Sequence, residues 1–433
     1  MAELFNIRDS LANKISYYHL LFLLASLPFD RFYSHLVLIS YIIHTLIHLK
    51  KENIKPVFNL RMLALQSVFL VTVCSTIYSF NKPEAFNEWG KQLTILIFPL
   101  VFCLNPLDIH KYRPKLLQAF AWVCSATVIY LYIDAFITIS HYQLPWSAIC
   151  SGPFTNHNFA IPIDMHATFF SMQLMVALAY LISSIIKEPG TGRKLLNFFC
   201  CIVLTAGIVQ LSSKSIFAVL LILVNIGVPW FLLKGSARVK FVVISLSFSV
   251  LAMAMILASS TFRERFITEL KVDMSGPTVG EIHESRLARW ETVIELIQKK
   301  PLTGYGAGTE PGLLHDRFYQ KKMYDSFLLG LNGHSEYLSI ALKSGLIGLL
   351  AYLGTLVWGF KIALRRRDLL FFNFMVLITV VCFSENLLDV DKGTFFYSLF
   401  FSFFVFSEEI LPEKTVARQI PSLIGLTEAE VLV

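Results

Sequence analysis

Long apolar runs separated by shorter polar connections dominate the sequence and predict an all-α polytopic membrane protein. A membrane-spanning helix needs about 20 predominantly apolar residues, and such runs recur through most of the chain. They predict about twelve membrane-spanning helices. The predicted spans lie near residues 15–30, 32–49, 62–80, 92–105, 116–139, 164–186, 195–211, 215–233, 241–259, 335–360, 368–384 and 393–409.

The composition supports this class and excludes several others. Of the 433 residues, 55% are hydrophobic and only 15% are charged, whereas a soluble domain carries about 25% charged residues. A disordered chain and a nucleic-acid-binding module with a solvated basic face are therefore excluded, and no nucleic-acid partner is expected. The seven cysteines show no CxxC spacing, so neither a zinc site nor a disulfide framework is expected.

The distribution of Lys and Arg predicts the orientation in the membrane. One set of alternate connections holds seventeen of these residues: Lys50, Lys51, Lys55, Arg61, Lys111, Arg113, Lys115, Lys187, Arg193, Lys194, Lys234, Arg238, Lys240, Lys361, Arg365, Arg366 and Arg367. The opposite short connections hold five: Arg31, Lys82, Lys91, Lys214 and Lys392. The positive-inside rule places the richer set, and with it both termini, in the cytoplasm.

Two external stretches, at about 140–163 and 260–334, are longer than helix–helix connections require. Loops of this length inside a compact domain are usually functional. The chain is therefore expected to divide into four parts. These are residues 1–259 with the first nine spans, the external 260–334 loop with an amphipathic helix, residues 335–410 with the last three spans, and a cytoplasmic tail at 411–433.

Ionisable residues that cytoplasmic anchoring does not explain gather at the external ends of the predicted spans. They are Asp134, Asp164, His166, Lys214, His334, Glu336, Glu385, Asp389 and Asp391. Ionisable residues in or near membrane spans indicate function, and a transporter is expected to place some of them near the midplane. The pattern instead predicts a polar floor at the outer membrane surface, beneath the 260–334 loop.

The long loop contains a predicted amphipathic helix over 284–297. At about 100° per residue, one face is apolar and the other polar. The apolar face comprises Leu287, Trp290, Val293, Ile294 and Ile297, and the polar face Glu291, Thr292 and Glu295. Arg286 falls within the apolar face and Arg289 nearer its edge. A buried arginine is unfavourable unless an anion meets it, so Arg286 either binds a substrate anion, or snorkels or pairs with a carboxylate such as Glu385.

Two further features carry candidate chemistry. The stretch PLTGYGAG at 301–308 either presents backbone N–H groups to phosphate or is a turn that ends the helix. His334 precedes a long apolar helix, whose N-terminus favours a neutral imidazole. Such an imidazole can take a proton from a sugar hydroxyl, and a capping or interfacial role fits equally well. The histidine spacing predicts no metal site, and Asp389-Val390-Asp391 matches a metal-binding DxD motif only formally.

Taken in order, these motifs resemble the O-antigen ligase/polymerase superfamily, the proteins of the Wzy_C type. The family pattern reads roughly RxxxW, PLxGxGxG, HNxYL and GxxG. The matching positions are Arg286 with Trp290, the 301–308 stretch, HSEYL at 334–338, and Gly345 with Gly348. Ser335 replaces the usual Asn. The stretch GPFTNHN at 152–158 and the turn Ser213-Lys214-Ser215 also resemble family motifs, with Lys in place of Arg in the turn.

The resemblance implies a GT-C-like, inverting glycosyltransferase of the bacterial inner membrane that works on the periplasmic face without a metal or another cofactor. Its donor would be a glycan linked to polyprenyl pyrophosphate. Its acceptor would be lipid A–core in a ligase, or a further repeat unit in a polymerase of O-antigen or exopolysaccharide. A protein-glycosylating oligosaccharyltransferase of the same superfamily and a lipid-linked-oligosaccharide transporter are the remaining alternatives.

Position by position, the resemblance assigns roles to five residues. Arg286 would grip the pyrophosphate with its guanidinium fork, and Lys214 would add a point charge. His334 would be the base that accepts the proton of the acceptor hydroxyl. Arg289 and Tyr337 join them as candidate substrate-binding residues. The expected catalytic residues are thus His334 and Arg286.

Overall fold

The computed structural model describes residues 6–51, 54, 57, 59–187, 190–274 and 284–407. Within these ranges the chain is helical and contains no β-strand. Six helices in the described part are long and apolar enough to cross a membrane, in agreement with the predicted polytopic membrane class. The total of twelve spans stays a prediction, and the expected tail at 411–433 lies outside the described residues.

The first nine predicted runs each coincide with a helix. These helices are α1 (Leu11–Ser26), α2 (Arg31–Ile47), α3 (Leu60–Thr76), α4 (Lys82–Leu104), α5 (Ile109–His141), α6 (Ala167–Lys187), α7 (Thr191–Leu211), α8 (Lys214–Leu232) and α9 (Gly235–Ala258). Helices α4 and α5 begin well before their apolar runs. Asn81 and Asp108 cap their first turns with side-chain oxygens, so polar turns outside the apolar run are helical as well.

The described residues of the 260–334 stretch are largely helical. After α9, the segment α10 consists of Ser260–Arg263, a π-helical turn Glu264–Thr268, and Glu269–Asp273. Then follow α11 (Arg286–Lys299), α12 (Glu310–Gln320) and α13 (Tyr324–Leu328). The hydroxyl of Ser285 accepts from Ala288 N at 3.1 Å and starts α11. Val293, Leu314 and Phe318 form a small core with Leu342 of the next helix, so α11 and α12 pack on the membrane domain.

Three helices complete the chain, α14 (Glu336–Arg365), α15 (Leu369–Ser384) and α16 (Asp391–Phe406). Helix α16 is buried along nearly its whole length, and its phenylalanines pack against those of α15. Helix α9 is the opposite case, since only 6% of its most apolar 18-residue stretch is buried. An apolar helix that is exposed in this way is expected to face lipid.

Gly345 interrupts α14 and creates the surface on which the 301–308 stretch packs. Its backbone angles are φ 64° and ψ −164°, a region that only glycine adopts readily. A Cβ at this position would lie 2.2 Å from the carbonyl oxygen of Leu302. Four backbone hydrogen bonds join the two segments: Tyr305 N to Leu342 O at 3.0 Å, Gly306 N to Lys343 O at 2.8 Å, Leu346 N to Pro301 O at 2.8 Å, and Ile347 N to Leu302 O at 3.4 Å. The two glycine motifs therefore form one joint, which attaches the segment after α11 to α14.

Candidate functional site

Lys214 and Arg286 flank one carboxylate, that of Asp273 at the end of α10. Nζ of Lys214 lies 3.5 Å from Asp273 Oδ2, and Nη2 of Arg286 lies 4.0 Å from the same oxygen. Glu269, one helical turn earlier, is also 3.5 Å from Lys214. Both cationic side chains keep 26% of their surface exposed. The structure thus brings the two predicted cations together, with carboxylates between them.

The guanidinium of Arg286 also binds the end of α15. Its Nη1 donates to Ser384 O at 3.1 Å, while its Nε is buried without a hydrogen-bond partner among the described residues. A buried donor without an acceptor is unfavourable, so an anion placed here would gain a hydrogen bond that the protein itself does not make. The carboxylate that pairs with Arg286 is that of Asp273 rather than that of Glu385.

His334 lies in the connection between α13 and α14 with a left-handed backbone (φ 47°). Neighbours on both sides fix this conformation. Trp290 Nε1 donates to Gly333 O at 2.7 Å, and Ser335 N donates to Asn386 Oδ1 at 2.7 Å. The tryptophan of the RxxxW motif therefore positions the histidine loop.

Glu385 connects the histidine to the cations. Its Oε2 lies 3.8 Å from His334 Nδ1, and the preceding carbonyl, that of Ser384, holds Arg286. Burial raises the pKa of Glu385, but the contact with His334 and the nearby positive charges hold it below its ordinary value. Glu385 is therefore ionised at neutral pH, next to the candidate base.

Two further histidines lie beside Glu385. The rings of His157, from the 152–158 stretch, and His166 are 4.1 Å apart. Burial lowers the pKa of His166 to about 4 and also lowers the pKa of His157. Both imidazoles are consequently neutral at pH 7. The outer 152–158 motif thus contributes to the same cluster without adding positive charge to it.

Arg289 and Tyr337 are bound to other parts of the protein. Arg289 is only 4% exposed, its Nη1 donates to Glu284 O at 3.2 Å, and burial lowers its pKa. The hydroxyl of Tyr337 donates to Thr379 O of α15 at 2.9 Å. These contacts fix helix positions around the site, and a substrate-binding role for either residue stays a prediction.

The buried face of α11 differs from the predicted one. Thr292, placed on the polar face by the sequence, is fully buried, whereas Ile294, placed on the apolar face, is 42% exposed. The actual buried face comprises Ala288, Arg289, Thr292, Val293 and Leu296. The helix is rotated because it packs against α12 as well as α14, and the Thr292 hydroxyl is satisfied by Ala288 O at 2.9 Å.

The 301–308 stretch does not form the phosphate cradle considered from the sequence. The N–H groups of Tyr305 and Gly306 bind carbonyls of α14. The N–H of Gly308 donates to Glu88 Oε2 at 2.6 Å. Because these donors already have protein acceptors, the stretch is a docking element that follows the end of α11.

Sequence reasoning missed a buried charge cluster beneath this joint, formed by Glu88, Glu310, Lys343 and Asp389. Nζ of Lys343 lies 2.5 Å from Glu88 and 2.6 Å from Asp389. The hydroxyl of Ser339 contacts both Glu310 and Asp389. The signal available in the sequence was an isolated Lys in an otherwise apolar helix. The pairing also engages Asp389, the first aspartate of the formal DxD motif.

Residues 198–353 match the family model described as O-Antigen ligase (Wzy_C). The matched segment runs from α7 into α14 and contains Lys214, Arg286 and His334, the three predicted residues that the fold brings into one cluster. No curated protein matches the chain significantly.

Proposed function

We propose that the protein transfers a glycan from polyprenyl pyrophosphate to a lipid A–core-type acceptor, because residues 198–353 match the O-antigen ligase family model, as the motifs predicted. The observation that carries the proposal is the continuous contact from Lys214 through Asp273 to Arg286, and from the Ser384–Glu385 turn to His334. This arrangement provides cations for a leaving pyrophosphate beside a base for an attacking hydroxyl.

In the proposed reaction, Lys214 and Arg286 hold the pyrophosphate. A guanidinium matches phosphate oxygens through two parallel hydrogen bonds, and an ammonium adds a point charge. Negative charge builds on the bridging phosphate oxygen as the bond to the anomeric carbon breaks. Cations held in place before the reaction stabilise that charge, so no step of the proposal requires a metal ion.

His334 acts on the acceptor. Its imidazole takes the proton of the acceptor hydroxyl, whose oxygen forms a bond to the anomeric carbon while the pyrophosphate leaves with the bonding electron pair. Attack opposite the leaving group inverts the configuration at that carbon. The nearby Glu385 stabilises the imidazolium that forms. The predicted topology, in which all these groups lie on the outer side, supports a reaction on the periplasmic face.

The donor has to replace the carboxylates that pair with the cations. Asp273 and Glu269 lie 3.5 Å from Lys214, where phosphate oxygens are expected to bind. The two carboxylates belong to α10, which continues from α9, the least buried of the candidate spans. A small displacement of α10 would expose both cations to the pyrophosphate.

The proposal is tested in a bacterial strain from which the gene is deleted. We expect the wild-type gene to restore glycan transfer and His334→Ala to fail at equal protein level. His141→Ala is the matched control, since His141 is an exposed histidine at the end of α5. Full glycan transfer by His334→Ala would show that His334 is not the base.

The same strain distinguishes the ligase from the runner-up, a repeat-unit polymerase. Without a ligase, polymerised glycan remains on the lipid carrier, whereas without a polymerase only single repeats reach the acceptor. A transporter is less well supported. The charges of Lys343 and Glu88 are bound to outer loops through Asp389 and Gly308, and Lys343 lies only about 11 Å along α14 from its outer end at 1.5 Å per residue.

A further inference from the structure

The carboxylate of Glu385 is placed to act on His334 rather than on a cation. Its Oε2 lies 3.8 Å from His334 Nδ1, and its Oε1 lies 3.5 Å from the hydroxyl of Thr168. Arg286, whose charge also acts on Glu385, binds the carbonyl of Ser384 and the carboxylate of Asp273 instead. Glu385 is thus an ionised and mostly buried group whose closest charged or titratable contact is the candidate base.

The position of Glu385 is fixed by its surroundings. It follows α15 directly in an extended conformation, and the next residue, Asn386, accepts from Ser335 N at 2.7 Å. Asn386 therefore holds the backbone of the histidine loop, and the adjacent Glu385 faces the histidine ring. The loop is also fixed from the opposite side by Trp290.

We propose that Glu385 is a positioning residue that accepts a hydrogen bond from Nδ1–H of His334 and so leaves Nε2 unprotonated toward the acceptor hydroxyl. In a neutral imidazole one nitrogen carries the proton and the other accepts. The hydrogen bond made by one ring nitrogen determines the state of the other. The 3.8 Å separation shortens to hydrogen-bond length when the substrates bind, as catalytic contacts often do.

The inference rests on the proposed function for its chemistry. The acceptor proton moves to Nε2, the acceptor oxygen binds the anomeric carbon, and the pyrophosphate leaves with the electron pair. Glu385 keeps its own charge throughout and stabilises the imidazolium. The other titratable or charged groups around the pair are His166, His157, Arg286 and Arg265, and they are unchanged in the variants below.

The first test measures the reactivity of His334 and needs no substrate. Diethyl pyrocarbonate acylates only neutral imidazole, and the extent of modification of the full-length protein is read by mass spectrometry of the His334 peptide at a series of pH values. In Glu385→Gln, we expect the modification profile to move to lower pH, because a neighbouring anion favours the imidazolium. An unchanged profile would overturn the proposal.

The second test measures transfer from a polyprenyl-pyrophosphate glycan. We expect Glu385→Gln to lower kcat about 10- to 100-fold, the usual loss for a residue that orients another through a hydrogen bond, with little change in the KM for the donor. Glu385→Asp should recover part of kcat, and the acid limb of the pH–rate profile of Glu385→Gln should move to lower pH. Equal loss in Gln and Asp variants with an unmoved profile would indicate a purely structural role.

Asp164→Asn is the matched control for both tests. Asp164 is an acidic residue of the same outer surface, but its side chain is 90% exposed, and Asn tolerates its left-handed backbone. It should leave the modification profile and kcat unchanged. The two tests also distinguish a failure of the proposed function from a failure of this inference. A wild-type protein without transferase activity contradicts the proposed function. The modification profile still decides whether Glu385 acts on His334.

Discussion

At the scale of the residue, the sequence indicated the side chains of the candidate site but not the groups that they contact. Arg286, Lys214 and His334 were identified by residue type and motif. Asp273 and the carbonyl of Ser384 were not, because no motif or helical spacing links them to the cations; Arg286 and Ser384 are 98 residues apart. Such contacts depend on how helices pack, and helical periodicity carries no information about them.

Replacing Arg286 by Lys tests the two-point contact with phosphate. A lysine keeps the charge but loses the planar fork and the Nη1 bond to Ser384 O. We expect kcat to fall about 100-fold or more, as when a group that stabilises the developing charge is removed. The measurement is the transfer rate with saturating donor at equal protein level. Wild-type turnover in Arg286→Lys would show that charge alone is sufficient.

Removing the negative charge of Asp273 tests whether this carboxylate competes with the donor. We expect Asp273→Asn to bind a polyprenyl-pyrophosphate glycan about 2- to 5-fold more tightly, since an exposed ion pair is worth at most about 1 kcal/mol. Isothermal titration in detergent measures the Kd. Glu291→Gln, a charge-matched change at an exposed position of α11, is the control. Weaker binding to Asp273→Asn would mean that Asp273 supports the donor site.

At the scale of the element, the sequence predicted where helices occur better than how they face one another. Twelve apolar runs coincide with helices, because length and composition specify an apolar helix locally. The predicted buried face of α11 was partly wrong, since Thr292 contacts Lys321 and Met323 between α12 and α13, and no local sequence pattern indicates those contacts. The sequence identified the glycine motifs as family motifs, but only the structure shows that they join two backbone segments.

The joint between α14 and the 301–308 stretch predicts a contrast between two glycines of one helix. Gly345→Ala should destabilise the protein by about 2 kcal/mol or more, because the added Cβ meets backbone atoms and the left-handed angles are strained. Gly354→Ala should be neutral or slightly stabilising, because nothing lies within 4 Å of its Cβ. Thermal unfolding in detergent compares the two variants. Equal melting temperatures would contradict the role of the joint.

At the scale of the whole molecule, a buried charge cluster connects α12 to α4 and α14. Glu310 begins α12, Glu88 belongs to α4, and Lys343 belongs to α14, so the cluster ties together three segments that are distant in the chain. The isolated Lys343 in an apolar helix was the sign in the sequence, but it did not identify the partners. Only the fold shows that Lys343 meets Glu88 and Asp389.

The cluster predicts a pH dependence of stability. Burial, together with the charge of Asp389, raises the pKa of Glu310 from 4.5 to about 7. A group whose pKa is raised by folding stabilises most below its unfolded value, so stability should fall as the pH rises from about 4.5 through about 7. Glu310→Gln should reduce that fall and melt at a higher temperature than wild type at pH 8. The exposed Glu291→Gln is the control, and identical pH profiles for Glu310→Gln and wild type would contradict the assignment.

The central claim is that Lys214, Arg286 and His334 form one site for glycan transfer from a lipid pyrophosphate. The most direct measurement is transfer by the purified protein in vesicles that contain a polyprenyl-pyrophosphate glycan and lipid A–core, in the presence of a divalent-metal chelator. We predict transfer by wild type and by His141→Ala, and a loss of about 100- to 10,000-fold in His334→Ala. Wild-type transfer rates in His334→Ala, or the absence of transfer by the wild-type protein, would contradict the account.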